Sequence, residues 1–258
     1  MQTPLLNVMT AAAIKAGKGL MRDFGEVDAL HISRKSASNF VTKSDVRTEK
    51  LLQKELSIAR PAFGFLMEEG GEVKGKDASH RWIIDPLDGT SNFIHAVPYF
   101  CISIGLEKTY PNGDSEIIAG VIFDPIHNEL FTAEKGKGAQ VNNRKLQVSN
   151  RENLEEAMLV AGSPRDALAT FDAVSKSKAT VRYFGAAALD LAYLAAGRID
   201  ACWYHNIQPW DIAAGMLMIQ EAGGVFTALD GAPASVYSPA VFASNQPLYK
   251  DVQKIVAG

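Results

Sequence analysis

Residues 82–93 read Trp82-Ile83-Ile84-Asp85-Pro86-Leu87-Asp88-Gly89-Thr90-Ser91-Asn92-Phe93, a strand-like run leading into an acidic turn and then a helix start. Arg81 to Ile84 is short and β-rich, which predicts a buried strand ending at Asp85. Pro86 fixes φ and is expected to stop the strand, and Gly89 allows a sharp reversal. Asp85 and Asp88 are thereby held on one stiff turn, with the backbone carbonyl of Leu87 between them. Three oxygen donors fixed in this way suit a hard divalent cation such as Mg²⁺. Thr90 and Ser91 follow at a helix start, where N–H groups and hydroxyls can receive a phosphate. Taken alone, Pro86-Leu87-Asp88-Gly89 reads equally well as an ordinary β-turn after a strand, so the rest of the chain has to decide.

The 258 residues, 47% of them hydrophobic, suffice for a substantial core in one large domain or two intimate ones. A formal net charge of −3 offers no general basic surface and argues against nucleic acid as the main ligand. Cys101 and Cys202 both lie in apolar runs and are expected as buried free thiols in a reducing compartment rather than as a disulfide. The longest apolar stretches are strand-sized, so no membrane span is expected. Met1-Gln2-Thr3-Pro4 lacks the basic start and apolar block of a signal peptide. A soluble cytoplasmic protein is the default expectation.

The pattern along the chain is helices, then many strands, then alternation. Thr3-Pro4 is a cap followed by a first helical residue, and Leu5, Met9, Ala12, Ala16 and Leu20 mark one helical face up to about Phe24. A second helix is predicted from around Ser44 to Ala59, with Leu51, Leu52, Leu56 and Ile58 inward and Pro61 closing it. Phe63 to Met67 is a strand, and Glu68 to Asp77, charged and glycine-containing, reads as an exposed, mobile loop. Tyr99–Leu106, Ile117–Phe123, Glu129–Ala133, Ala139–Val141 and, past an Asn142-Asn143 turn, Leu146–Val148 predict a largely antiparallel sheet. From about residue 155 strands at Met158–Ala161, Val181–Phe184, Ile199–Tyr204 and Val225–Ala228 alternate with helices, two of them at Ala186–Ala196 and Asp211–Ala222, an α/β pattern. The shift near 150 predicts an N-terminal α+β subdomain over 1–150, holding the acidic turn, and a C-terminal α/β subdomain over 151–258.

Further acids stand at suggestive places. Glu68 and Glu69 close a strand. Asp45 lies in the first turn of the second helix, after Asn39-Phe40-Val41-Thr42, and Asp211 follows Trp210 at the start of another. Each has an ordinary reading, as a solvated loop edge or a helix cap. The chain carries an internal control in Phe123-Asp124-Pro125-Ile126-His127, which repeats strand-Asp-Pro-aliphatic but has His127 in place of the second Asp; Asp124 reads as a turn former. His31, His80, His95, His127 and His205 show no metal-ligand spacing.

The segments Trp82 to His95 and Trp210-Asp-Ile-Ala-Ala-Gly-Met-Leu-Met-Ile-Gln-Glu-Ala-Gly-Gly224 resemble the two signatures of the inositol monophosphatase family, Mg²⁺-dependent, lithium-sensitive sugar-phosphate phosphatases. The resemblance extends through Phe40-Val41-Thr42 and Asp45, Glu68-Glu69, Phe123-Asp124-Pro125, Asn128-Glu129-Leu130-Phe131, Gly136 to Ala139 and Gly185 to Tyr193, nearly the whole chain. It implies a layered α-β-α-β-α sandwich of the inositol monophosphatase/fructose-1,6-bisphosphatase type, α+β in one half and α/β in the other, and a homodimer. It also implies that Glu68, Asp85 and the carbonyl of Leu87 hold one Mg²⁺ and Asp85, Asp88 and Asp211 a second, with a third, weaker ion near Glu68 in the family. Thr90, oriented by Asp45, would act with Glu68 on the attacking water, while N–H groups near Gly89 and Thr90 cradle the phosphate. Asp88, Gly89, Thr90 and Asp211 thus double as substrate contacts.

On the alcohol side this sequence departs from the family pattern. The segment that carries a hydroxyl in the family is Gly185-Ala186-Ala187 here, and the position of a polyol-contacting Glu is Tyr204. The resemblance therefore implies a small phosphorylated polyol or sugar as substrate, with a shifted or broadened preference. Two alternatives stay open: the same chemistry on fructose bisphosphate, a 3′-phosphonucleotide, histidinol phosphate or NADP, and a regulatory protein on this fold that binds RNA or a polymerase.

Overall fold

The computed structural model describes residues 3–25, 33–34 and 40–256. His31 and Asn39 fall outside them. The chain starts with α1 (Pro4–Asp23), capped by the Thr3 hydroxyl, then β1 (Ser33–Arg34) paired antiparallel with β2 (Phe40–Val41), and α2 (Lys43–Ala59), capped by Thr42. Next come β3 (Phe63–Met67), β4 (Gly71–Val73), β5 (Asp77–Asp88), the short α3 (Thr90–Ile94), β6 (Cys101–Thr109), β7 (Ser115–Asp124), β8 (Glu129–Glu134), β9 (Gly138–Val141) and β10 (Arg144–Lys145). The rest comprises β11 (Met158–Ala161), α4 (Pro164–Lys176), β12 (Thr180–Arg182), α5 (Ala187–Ala195), β13 (Ala201–His205), α6 (Pro209–Glu221), β14 (Val225–Ala228), β15 (Ala240–Ser244) and α7 (Tyr249–Val256).

An eight-stranded sheet runs β10-β9-β8-β7-β6-β5-β3-β4, antiparallel except for the parallel pair β3/β5; a five-stranded sheet runs β12-β11-β13-β15-β14. The period-two alternation of the strands builds the layers. Trp82 and Ile84 of β5, Ile102 and Ile104 of β6 and Val121 of β7 turn to one face and pack under α1 and α2 through Met9, Leu20, Leu52 and Leu56. Ile83 and Ile122 turn to the other face, against α5 and α6, whose far side meets Val160, Cys202, Tyr204, Val241 and Ala243 of the smaller sheet. Leu159, Ala201, Trp203 and Phe242 face outward again, onto Val174 of α4 and Val252 and Val256 of α7. The order is α-β-α-β-α. Because α5 and α6 are buried on both sides, their sequences are apolar nearly all round, as a middle layer requires. Both cysteines are free and buried. Among the described residues no helix is long and apolar enough to cross a membrane.

Several expectations are corrected. β5 does not stop at Pro86; it runs on to Asp88 through a bulge, Asp85 pairing with Ser103 and Asp88 with Cys101, so one extra residue on β5 absorbs the missing N–H. Glu68–Asp77 is not a loop throughout, for Gly71–Val73 folds back on β3 as an antiparallel hairpin arm. Ile58 is 71% exposed, since the packed face of α2 is carried by Ser44, Asp45, Thr48, Glu49, Leu52 and Leu56. Past Val141 the strand is Arg144–Lys145 rather than Leu146–Val148, with the Leu146 N–H still donating to the Ala139 carbonyl at 2.8 Å. β15 and α7, which complete the smaller sheet and cover it, have no counterpart in the pattern read from the sequence.

Candidate active site

The β5 bulge and the first turn of α6 meet. Oxygens of Asp85, Asp88 and Asp211 lie within 4.8 Å of one another, a group able to hold a metal ion. Asp85 is 2% exposed and Asp88 9%. Asp85 Oδ1 accepts the Leu87 N–H at 2.9 Å, which closes the bulge locally. Asp88 Oδ2 accepts the Ala188 N–H at 2.6 Å, capping the N-terminus of α5, where Ala186 has no side chain to do so. Asp211 Oδ2 accepts the Gln208 N–H at 3.0 Å. The cap reading and the ligand reading of Asp211 are therefore compatible. Glu68 follows the last residue of β3, and its N–H donates to the Ile84 carbonyl at 3.2 Å, alongside Asp85. Burial raises the pKa of Asp85 well above the carboxylate range, reinforced by Glu68, Asp88 and Asp211. Burial likewise raises Asp88, with Asp211 adding to it. Asp211 is pushed up to about 6, mainly by burial.

Behind this group stands a second pair. Asp45 is fully buried; its Oδ2 accepts the Thr42 N–H at 2.8 Å and the Thr42 hydroxyl at 2.5 Å, and Oδ1 accepts the Thr90 hydroxyl at 3.1 Å. The Thr90 hydroxyl also lies 3.0 Å from the Leu87 carbonyl oxygen. Burial raises the Asp45 pKa, opposed by the bonds from Thr42 and Thr90. Gly89 joins β5 to α3 with φ +94°, in the left-handed region. A Cβ there would lie 2.9 Å from the Tyr99 carbonyl oxygen and 3.1 Å from the Ala186 Cβ. Ala186 thus packs directly against Gly89, and Asn92 fastens the segment before it, donating to the carbonyls of Tyr99 and Phe184 at 2.8 Å each.

Residues 1–257 match the sequence model of the inositol monophosphatase family. The chain belongs to this family. An inositol-1-monophosphatase of Caulobacter vibrioides is 47% identical over 95% of this chain and 97% of its own. A Xylella fastidiosa protein named Nus factor SuhB is 45% identical over 91% of this chain and 85% of its own. The solved structure of extragenic suppressor protein suhB from Bartonella henselae matches with a TM-score of 0.93 and 45% identity, covering 98% of each chain. The segments around Asp85 and around Asp211, on which the resemblance to the family was read, are those whose carboxylates converge.

Tyr204, the position at which the resemblance implies a polyol contact, turns inward. It is 3% exposed, lies in the core between α5 and the smaller sheet, and donates its hydroxyl to Asp190 Oδ2 at 3.0 Å. Asp190 Oδ1 accepts the Tyr99 hydroxyl at 2.6 Å, and burial lifts this acid to about 7 against those two donors. An acid inside Leu189-Asp190-Leu191 is an anomaly visible in the sequence, whereas nothing local in the sequence marks the roles of Asn92 and Glu49. Asp124 is a turn former as expected, its Oδ1 accepting from Ile126 and His127 at 2.9 and 3.0 Å. His127 pairs with Asp124, His205 with Asp166 and His80 with Asp77. A cavity of about 240 Å³ lies away from the site, along β7 and α6. Its acids are engaged in pairs: Glu107 with Arg81 and Tyr237, Glu116 with Lys135 and Tyr110, Glu221 with the N–H groups of Gly136 and Gly138.

Proposed function

We propose that this chain is a Mg²⁺-dependent phosphomonoesterase of the cytoplasm, a homodimer, acting on inositol monophosphate or a related small polyol or sugar phosphate with water as nucleophile. The observation that carries the reading is the convergence of Asp85, Asp88 and Asp211 from two segments distant in sequence, beside the Thr90–Asp45 pair. The donor set fits a hard divalent ion: oxygen atoms only, most of them carboxylate, crowded where burial and like charge make ionisation costly unless a cation is present. Glu68, Asp85 and the Leu87 carbonyl would hold one ion, and Asp85, Asp88 and Asp211 a second. Bound there, such ions lower the pKa of a coordinated water and offset charge developing on the phosphoryl and leaving oxygens.

The chain's own groups supply the rest. Thr90 Oγ1 takes a proton from the attacking water as its own proton passes to Asp45, which burial makes a ready acceptor; Glu68 assists from the strand alongside. N–H groups of Gly89 and Thr90 orient the phosphate oxygens. The alcohol half would meet Gly185 and Ala187, which present no hydroxyl, while Ala186 is buried against Gly89 and Tyr204 is engaged in the core, so selection among polyols is broad. A phosphate-release panel over a few dozen small phosphates tests this. Several should turn over with Mg²⁺ and none with EDTA; absence of Mg²⁺-dependent release from every one refutes the reading.

A relative named a Nus factor at 45% identity favours a second reading, a regulatory partner of transcription. Binding to purified RNA polymerase that survives Asp88→Asn, in a chain without phosphatase activity, would select it.

A further inference from the structure

We propose that Glu49 is a positioning residue: from the inward face of α2 it holds the turn that carries Glu68 and so sets that carboxylate against Asp85. The proposal rests on the metal-dependent reading above. Glu49 is 5% exposed and lies one helical turn after Asp45, on the same packed face. Its Oε2 accepts the N–H of Glu69 at 2.8 Å. A Cβ on Gly70 would lie 3.0 Å from its Oε1, so the carboxylate sits flush against the 69–70 backbone. On the other side, the Glu68 N–H is bonded to the Ile84 carbonyl, one residue before Asp85. Residue 68 is therefore held from two directions, by β5 and by α2, although Gly70 and Gly71 follow it and would otherwise leave the turn loose. One helix face thus fixes two groups beside the carboxylate cluster: Asp45 holds Thr90, and Glu49 holds the turn of Glu68.

The geometry also says what the residue must be. Reaching the Glu69 N–H from α2 takes the full length of a glutamate. Glutamine offers an acceptor oxygen at the same place without the charge, whereas aspartate keeps the charge and falls short by a methylene.

Mn²⁺ titration of the full chain, followed by the paramagnetic resonance signal of the unbound ion, reads this without turnover. Groups that orient metal ligands typically change metal affinity by about 10–100-fold. Glu49→Ala and Glu49→Asp are expected to weaken Mn²⁺ binding by about tenfold or more, and Glu49→Gln to stay within about twofold of wild type. Wild-type affinity in Glu49→Ala or Glu49→Asp overturns the proposal, as does an equal loss in Glu49→Gln. If Glu49→Ala does not fold, the Asp and Gln variants decide between them. A wild type that binds no Mn²⁺ removes the functional reading itself, a result distinct from wild-type binding that Glu49 does not affect.

Discussion

Asp88 serves two purposes at once: one of its oxygens caps α5 through Ala188, and the carboxylate belongs to the cluster with Asp85 and Asp211. Asparagine keeps an acceptor for the cap and removes the charge. Asp88→Asn is therefore expected to fold normally and to lose on the order of 10²-fold or more in kcat at saturating Mg²⁺. Near-normal turnover in the folded variant would contradict the assignment. Tyr204 carries a different kind of consequence. Asp190, raised to about 7, takes up a proton on folding, so its contribution to stability declines as pH rises from about 4 towards 7. Tyr204 donates to the charged form and limits that decline. In Tyr204→Phe the folded pKa rises further and the decline continues to higher pH. The variant should lose about 1.5–3 kcal/mol at pH 8, where a bond to a charged acceptor is missing, and about 1 kcal/mol at pH 5.5, where the acid is neutral. Urea unfolding at the two pH values measures both; an equal loss at each would show that Asp190 does not titrate between them.

At the scale of elements, the bulge of β5 and its junction with α3 decide where the cluster sits. Gly89→Ala meets two obstacles, a positive φ and a Cβ 2.9 Å from the Tyr99 carbonyl. A cost of about 2 kcal/mol or more is expected, with activity falling further than stability because Asp88 and Thr90 flank the shifted residue. Thermal melting and kcat/KM measured side by side check this, and a variant as stable and active as wild type would refute the close packing. The apolar run before Asp85 was legible from side chains alone, as were β3, β11 and β14, whose bounds the patterns matched residue for residue. The continuation through Pro86 was not, because a bulge depends on the partner strand. The hairpin arm Gly71–Val73 is exposed along its length, so no alternation marks it. α7 is short, but its apolar face through Val252 and Val256 was present in the sequence and could have been read. The cap that Asp88 gives α5 joins residues 100 apart and has no local signal. In the candidate site, the acids of the two signatures could be named from the sequence, whereas the inward turn of Tyr204 follows from its sharing a face of β13 with Cys202.

Across the whole molecule, the cluster ties layers together: Asp85 and Asp88 belong to the larger sheet, Asp211 to α6 in the middle layer, and Ala188 to α5 beside it. Such a site stabilises the entire chain when filled and opposes it when empty, since folding then brings like charges together away from water. Mg²⁺ at a hundred times its dissociation constant should add about 2.7 kcal/mol and raise the melting temperature by on the order of 5–10 °C. Asp211→Asn separates the two effects. Asparagine can still accept the Gln208 N–H but no longer repels Asp85 and Asp88. In EDTA the variant should melt at or above the wild-type temperature, by roughly 2 °C if the relief approaches 1 kcal/mol. In Mg²⁺ the order reverses, because the variant gains less from the ion, and kcat falls on the order of 10²-fold. Melting curves of both proteins with and without Mg²⁺ show whether the order inverts. A variant less stable than wild type in EDTA and equally responsive to Mg²⁺ would mean that Asp211 is a helix cap and nothing more.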